Sequence, residues 1–416
     1  MIFDLHFFLG NVVAAPLGRA ASLAYGTLLV MMAFQAPALI AFRELWVWYA
    51  PFLLLLLSAA ATVPTAANLG FARMFTQYLL VYYVLAVASM VFVRSARHAL
   101  PIIWMMFLQF AWWAIWAGSS GLVWWHPLLA NYDGFGGLMV SGVGMCFWFG
   151  VGSQSKRVKL LLFALAGYCV MGVVASYARG AFLSLVALAA WVWFRSPRKM
   201  LTTGGIALAA VIVVVAASAI FDSGFFWSEI RSAFEEGAET GTGAMRWALW
   251  TAAWRVFLEH PVLGVGAGNF GVFAAGFFKP GEIPEIPNPG AFYGMNLHNA
   301  YFQILSELGI VGIAAFLWLL VDFQRRNKAL RQPEAIERWR ALTGGTFDLR
   351  YVALAVEAAN VANLLSGLFY ASLYGQWFYV IWALNRVLWA VTASGTPTMA
   401  VSPRTTRTRV RRSRPG

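Results

Sequence analysis

"NLHNAYFQILSELGIVGIAAFLWLL", residues 296–320, joins a short polar cluster to a long apolar run. The run near 300–322 has the length that crosses a bilayer's hydrocarbon core, which takes about 20 residues. Between 300 and 321 its one charged residue is Glu307. A carboxylate at that depth is costly and is kept for a purpose. The expected purpose is structural support, by pairing with Arg179 or another polar group. The polar cluster is Asn296, His298 and Asn299. Either asparagine can cap the helix and orient the ring. His298 sits where a helix N-terminus disfavours an imidazolium, a setting that suits a general base. By composition alone, a purely structural polar cap explains the same residues.

The rest of the chain repeats this apolar pattern. Of 416 residues, 61% are hydrophobic and 11% charged. A soluble domain carries about 25% charged residues, so these charges cannot cover a water-exposed surface. The twenty tryptophans suit a membrane protein, because Trp favours the interface. A net charge of +13 raises the question of nucleic acid. The basic residues fall in short clusters between apolar runs, which is a topology signal and not a binding face. No nucleic-acid partner is expected. The two cysteines, Cys146 and Cys169, both lie in apolar runs, so no disulfide framework is expected. The start "MIFDLHFFLG" lacks a basic leader and a clear cleavage site and is not read as a signal peptide.

Spans are expected near 20–42, 44–62, 72–93, 99–118, 135–152, 158–177, 180–195, 201–221, 300–322, 351–370 and 374–393. Residues 1–19 add a possible short piece, for eleven or twelve spans in all. The fold class is therefore an all-α polytopic membrane protein. Four segments are expected: N-terminal spans in 1–134, a core in 135–370, a last span in 371–400 and a basic, disordered tail in 401–416. One set of alternate loops holds Arg43, Arg94, Arg97, Lys156, Arg157, Lys159, Arg195, Arg198, Lys199 and the run from Arg325 to Arg350. Lys/Arg-rich loops stay in the cytoplasm. The tail falls on that side, and the hydrophilic stretch 222–299 falls outside. Within it, Trp247, Trp250, Trp254 and Phe257 form one helical stripe, expected to lie in the interface.

Group transfer outside the membrane has no ATP and needs a substrate that arrives activated. A lipid pyrophosphate is the natural candidate. It needs cations for phosphate and a base for the acceptor hydroxyl. Arginine suits phosphate because its planar fork donates paired hydrogen bonds. Arg179, in "ASYARGAFLSL", and Arg246, at the start of the aromatic helix, are the candidates. A snorkelling or solvated surface arginine explains each equally well. His260 is a weaker candidate base, expected instead to cap a helix end before Pro261. Gly309 and Gly312 are expected to let a neighbouring helix approach closely. "GVGAGNF", residues 264–270, lacks a Gly-Lys-Ser/Thr ending and is not a phosphate loop. No cluster has metal-ligand spacing, so neither a metal nor another cofactor is expected.

Three blocks together resemble the O-antigen ligase and polymerase superfamily of bacterial envelope glycosyltransferases. They are "SYARGAFLSL", "RWALWTAAWRVFLEHPVLGVGAGNF" and "LHNAYFQILSELGIVG". In the first block Ser176 stands one position further from Arg179 than is usual. The likeness by motif covers roughly residues 140–320. It implies a GT-C-like helical fold with one long periplasmic loop, and catalysis at the periplasmic face of the bacterial inner membrane. It implies His298 as the base and Arg179 and Arg246 as the pyrophosphate-binding pair. Asn299 and Glu307 would support them. Asn131, in "NYDGFGG", is a further supporting candidate by a loose correspondence. The implied donor is an undecaprenyl-pyrophosphate-linked glycan. The implied acceptor is a lipid A-core sugar or a second glycan. A protein hydroxyl is a further alternative, as in protein O-oligosaccharyltransferases. A polysaccharide transporter or a non-enzymatic assembly scaffold would be of another class. The transporter has no inverted repeat in its favour; the scaffold would leave the His/Arg constellation unexplained.

Overall fold

The computed structural model describes residues 42–93, 95–120, 132–220, 241–278 and 296–393, with isolated positions between 224 and 232. The expected span 20–42 (save its last residue), residues 1–19, Asn131 and the tail 401–416 lie outside the described residues. Among the described residues there is no β-sheet, and all regular structure is helical. Its helices are α1 (Phe42–Thr62), α2 (Leu69–Phe92), α3 (Ala96–Ser120), α4 (Tyr132–Gly152), α5 (Lys156–Ala175), α6 (Arg179–Arg195) and α7 (Lys199–Val215). They continue with α8 (Gly241–Glu259), the single turn α9 (Phe270–Phe273), α10 (Ala300–Ala329), α11 (Pro333–Thr343), α12 (Leu349–Ser366) and α13 (Gln376–Thr392). Five of them, α2, α3, α4, α5 and α10, contain stretches long and apolar enough to cross a membrane. Every expected span from 44 onward falls on a helix, with ends within about four residues, except that α10 runs seven residues past 322 and α7 ends at Val215, followed by a π-helical turn to Ile220. The chain is a multi-pass membrane protein.

Short polar residues set where the helices begin. The Asn68 side chain accepts from Phe71 N at 3.0 Å, and Asp348 accepts from Arg350 N at 2.9 Å. Such caps satisfy amide groups that the helix itself leaves unpaired. α4 lies at the centre, packed on α5, α6 and α12. Small residues make that approach possible: a Cβ on Gly144 would come within 2.9 Å of Ala358 Cβ.

The helix ends sort into two groups. At one end the Gly152 carbonyl accepts from Asp348 N (3.0 Å), and Glu357 pairs with Arg195 (3.0 Å) and Arg331 (2.9 Å). This end carries the basic loops 156–159, 195–199 and 325–350. The other end gathers the starts of α2, α4, α6, α10 and α13 with the end of α12. It is the end that the positive-inside pattern predicts to be external.

The aromatic stripe on α8 needs correction. Trp247 (53% exposed) and Trp254 (45%) do face outward. Trp250 turns inward instead: its ring stacks on Phe302 at 5.7 Å and its Nε1 donates to Leu297 O at 3.1 Å. The buried face of α8 is Leu249, Ala252, Ala253 and Val256. The stripe stays contiguous, with Trp247 against Trp250 at 5.5 Å and Trp254 against Phe257 at 5.3 Å, but its Trp250 edge is covered where α8 docks on the start of α10.

Candidate functional site

The site is built around residues 296–300. Asn299 caps α10, its Oδ1 accepting from Tyr301 N (2.9 Å) and Phe302 N (3.0 Å). Its Nδ2 donates to Leu368 O at 3.2 Å, and Ala300 N donates to Gly367 O at 2.7 Å. The start of α10 is thus tied to the turn that follows α12. Asn296 Oδ1 accepts from His298 N at 3.1 Å, a side-chain-closed turn. That turn holds His298 at φ 50°, left-handed backbone that costs a non-glycine residue about 1–3 kcal/mol. Backbone strain of this kind clusters at functional sites.

His298 has a neighbour that the sequence does not reveal. Its Nδ1 lies 3.5 Å from Asp133 Oδ2. Asp133 stands in the first turn of α4, where a helix N-terminus favours a carboxylate. Both facing atoms are buried, so the ring's 29% exposure falls on its other atoms. Tyr370, from the turn after α12, lies against the same turn of α4: a Cβ on Gly134 would sit 3.3 Å from its hydroxyl.

Arg179 is the first residue of α6 and is half-buried. It follows Tyr177, the other non-glycine residue at positive φ (51°) among those described. The start of α6 packs on that of α4, where a Cβ on Gly136 would approach Ala181 Cβ to 2.5 Å. Gly180 abuts Phe369 so closely that a Cβ there would collide with it. Arg179 thus flanks the 367–370 turn that holds Asn299. Arg246 sits one turn before Trp250, the residue that anchors α8 to Leu297 and Phe302. Hence His298, Arg179 and Arg246, far apart in sequence, belong to elements that meet at one end of the molecule. His260 is exposed at the end of α8, its ring edge-on to Phe273 at 5.8 Å.

Glu307 lies about two turns into α10 and is held by groups from two other segments. Its Oε2 accepts from Tyr374 OH at 2.7 Å and from Gly268 N at 2.9 Å. The reason is a break in α10. Gly309 has φ 62° and ψ −157°, outside helical geometry. The break frees backbone groups, and the segment after α8 takes them up. Val265 N donates to Ser306 O and Gly266 N to Glu307 O, both at 2.9 Å; Ile310 N donates to Pro261 O at 2.8 Å. So Gly309 does not serve a neighbouring helix, as its spacing suggests; it receives the loop 261–268. A Cβ on Gly309 would strike Val262's carbonyl, and one on Gly264 would strike Glu307's backbone. The loop is fixed at its far side too, where Asn269 Oδ1 accepts from Asn68 N at 2.7 Å. The glycines of "GVGAGNF" therefore allow close backbone pairing with a broken helix.

A cavity of about 440 Å³ opens between α2, α3 and α13, lined by apolar residues such as Met105, Trp377 and Val380. None of its lining residues belongs to the His298 cluster, which is defined by its polar groups. Among the described residues no three His, Cys, Asp or Glu side chains gather as metal ligands.

Residues 164–317 match the family model described as O-antigen ligase, Wzy_C. That range includes Arg179, Arg246, His298 and Glu307, and leaves out Asp133 and Tyr374. No curated protein matches the chain.

Proposed function

We propose that this chain is a glycosyltransferase that moves a glycan from an undecaprenyl-pyrophosphate carrier to an acceptor hydroxyl. The observation that carries the reading is His298, at the start of α10, beside the first turn of α4, with the start of α6 packed on α4 and on the 367–370 turn to which α10 is tied. Helix N-termini carry partial positive charge and favour anions. Arg179 opens one of these helices, and Arg246 lies one turn from the anchor of α8. This end of the molecule suits a pyrophosphate. It faces the periplasm, opposite the basic loops.

In the reaction, the acceptor hydroxyl gives its proton to the His298 imidazole as its oxygen attacks the anomeric carbon. The bond from that carbon to the phosphate oxygen breaks, and its electron pair leaves with the pyrophosphate. Arg179 and Arg246 stabilise the charge that develops there. No metal ion is needed in this scheme. The acceptor is a lipid A-core sugar or a second lipid-linked glycan. Deleting the gene in its bacterium separates these. Loss of a surface glycan with long lipid-linked chains accumulating marks a ligase; accumulation of single repeat units marks a polymerase. An unchanged surface glycan and carrier pool would overturn the proposal.

The arginine roles have their own test. Arg179→Lys and Arg246→Lys are each expected to lower kcat/KM for the lipid-linked donor by about tenfold or more. A charge-assisted hydrogen bond contributes about 1.5–3 kcal/mol, and the point charge of lysine lacks the fork. Wild-type transfer by both variants at normal abundance would assign these arginines to membrane topology alone.

A further inference from the structure

We propose that Asp133 is the positioning residue of His298, a role that rests on the reading of His298 as the base. Asp133 Oδ2 lies 3.5 Å from His298 Nδ1, and both atoms are buried. A carboxylate beside Nδ1 holds the proton on that nitrogen. Nε2 then keeps its lone pair for the acceptor hydroxyl. When Nε2 takes the proton, the ring becomes an imidazolium beside a carboxylate, and the charge that develops is stabilised. At 3.5 Å these two atoms are an ion-pair distance apart and do not form a hydrogen bond here; catalytic contacts are often long or poorly aligned until substrate binds.

Three features make Asp133 a fixed partner and not a passing one. Its side chain is 4% exposed. It stands in the first turn of α4, the central helix, where the helix N-terminus favours its charge. Tyr370 packs on the adjacent Gly134 and lies within reach of the Asp133 charge. The His298 backbone is set independently by Asn296 and Asn299. The ring is thus held from both sides, by its backbone and by Asp133. The turn after α12 brings the Tyr370 hydroxyl to the same turn of α4; it can accept a hydrogen bond but carries no charge to stabilise an imidazolium, as the Asp133 carboxylate does.

The test is a double-mutant cycle on the purified full-length protein, read by steady-state glycan transfer. Asp133→Asn keeps the shape and removes the charge. It is expected to lower kcat about 10- to 100-fold with the donor KM within about twofold, because the lesion is in the proton transfer. In the His298→Ala background it is expected to lower the rate no further, because its partner is gone. Asp133→Glu, which keeps the charge, is expected to retain more activity than Asp133→Asn. An inactive His298→Ala with a fully active Asp133→Asn would overturn the role of Asp133 and leave the base in place. Equal multiplicative losses in both backgrounds would overturn it too, as would Asp133→Glu falling below Asp133→Asn. A fully active His298→Ala would remove the base itself and the proposal with it.

Discussion

Replacing His298 with alanine is expected to leave a protein that inserts and accumulates normally but transfers glycan roughly 10²–10⁴-fold more slowly, the usual cost of losing a general base. The fold loses little, because the ring is partly exposed and the helix cap belongs to Asn299. The backbone at φ 50° permits a sharper control. His298→Gly relieves the left-handed strain, so it is expected to melt no lower than wild type and still to be inactive. Asn299→Ala is expected to show the opposite balance, a stability loss of about 1 kcal/mol from the missing cap. His260→Ala is expected to transfer at the wild-type rate. Transfer by purified His298→Ala at the wild-type rate would make His298 a cap-region residue only.

Gly309→Ala is expected to do the greatest damage to the fold. Its φ of 62° and ψ of −157° fall in a region that glycine alone adopts readily, and any other residue costs about 1–3 kcal/mol there. The new Cβ would also meet backbone, at Val262's carbonyl and 2.8 Å from Gly264 N. Backbone cannot swing aside as a long side chain can. The loop 261–268 would have to move off α10, giving up its bonds to Ser306, Glu307 and Ile310. Each buried polar group left unpaired costs about 1–3 kcal/mol. The sum is comparable to the whole stability of a domain, about 5–15 kcal/mol. We expect Gly309→Ala to vanish from the membrane, or to melt far below wild type in detergent. Gly344→Ala is the control. Gly344 also has positive φ (69°), but a Cβ there meets nothing within 4 Å, so its cost is the backbone strain alone. Equal thermal stability of the two variants would refute the account of the helix break.

Hydropathy adds up locally along the chain, and for that reason the spans from 44 onward, and their alternation, could be read from the sequence. Lys/Arg clustering at alternate loops likewise placed the basic groups at one end and His298 at the other. The cap by Asn299 was legible because capping needs only neighbours in sequence. Glu307 was legible as a residue kept for a purpose, since a lone carboxylate in an apolar run has to be satisfied. Its partners, Tyr374 and Gly268, were not.

What the tertiary structure decided was which helix ends meet. Asp133 was one polar residue in a loosely matching stretch until the fold brought the first turn of α4, and with it the Asp133 carboxylate, to His298. The inward turn of Trp250 was invisible for the same reason: helical periodicity tells which residues share a face, not what docks on it. The glycines of 264–268 and 309 carried a local signal of unusual backbone. Only the fold showed that the two segments satisfy each other's hydrogen bonds, because backbone pairing between distant segments depends on position in space and hardly at all on side-chain identity.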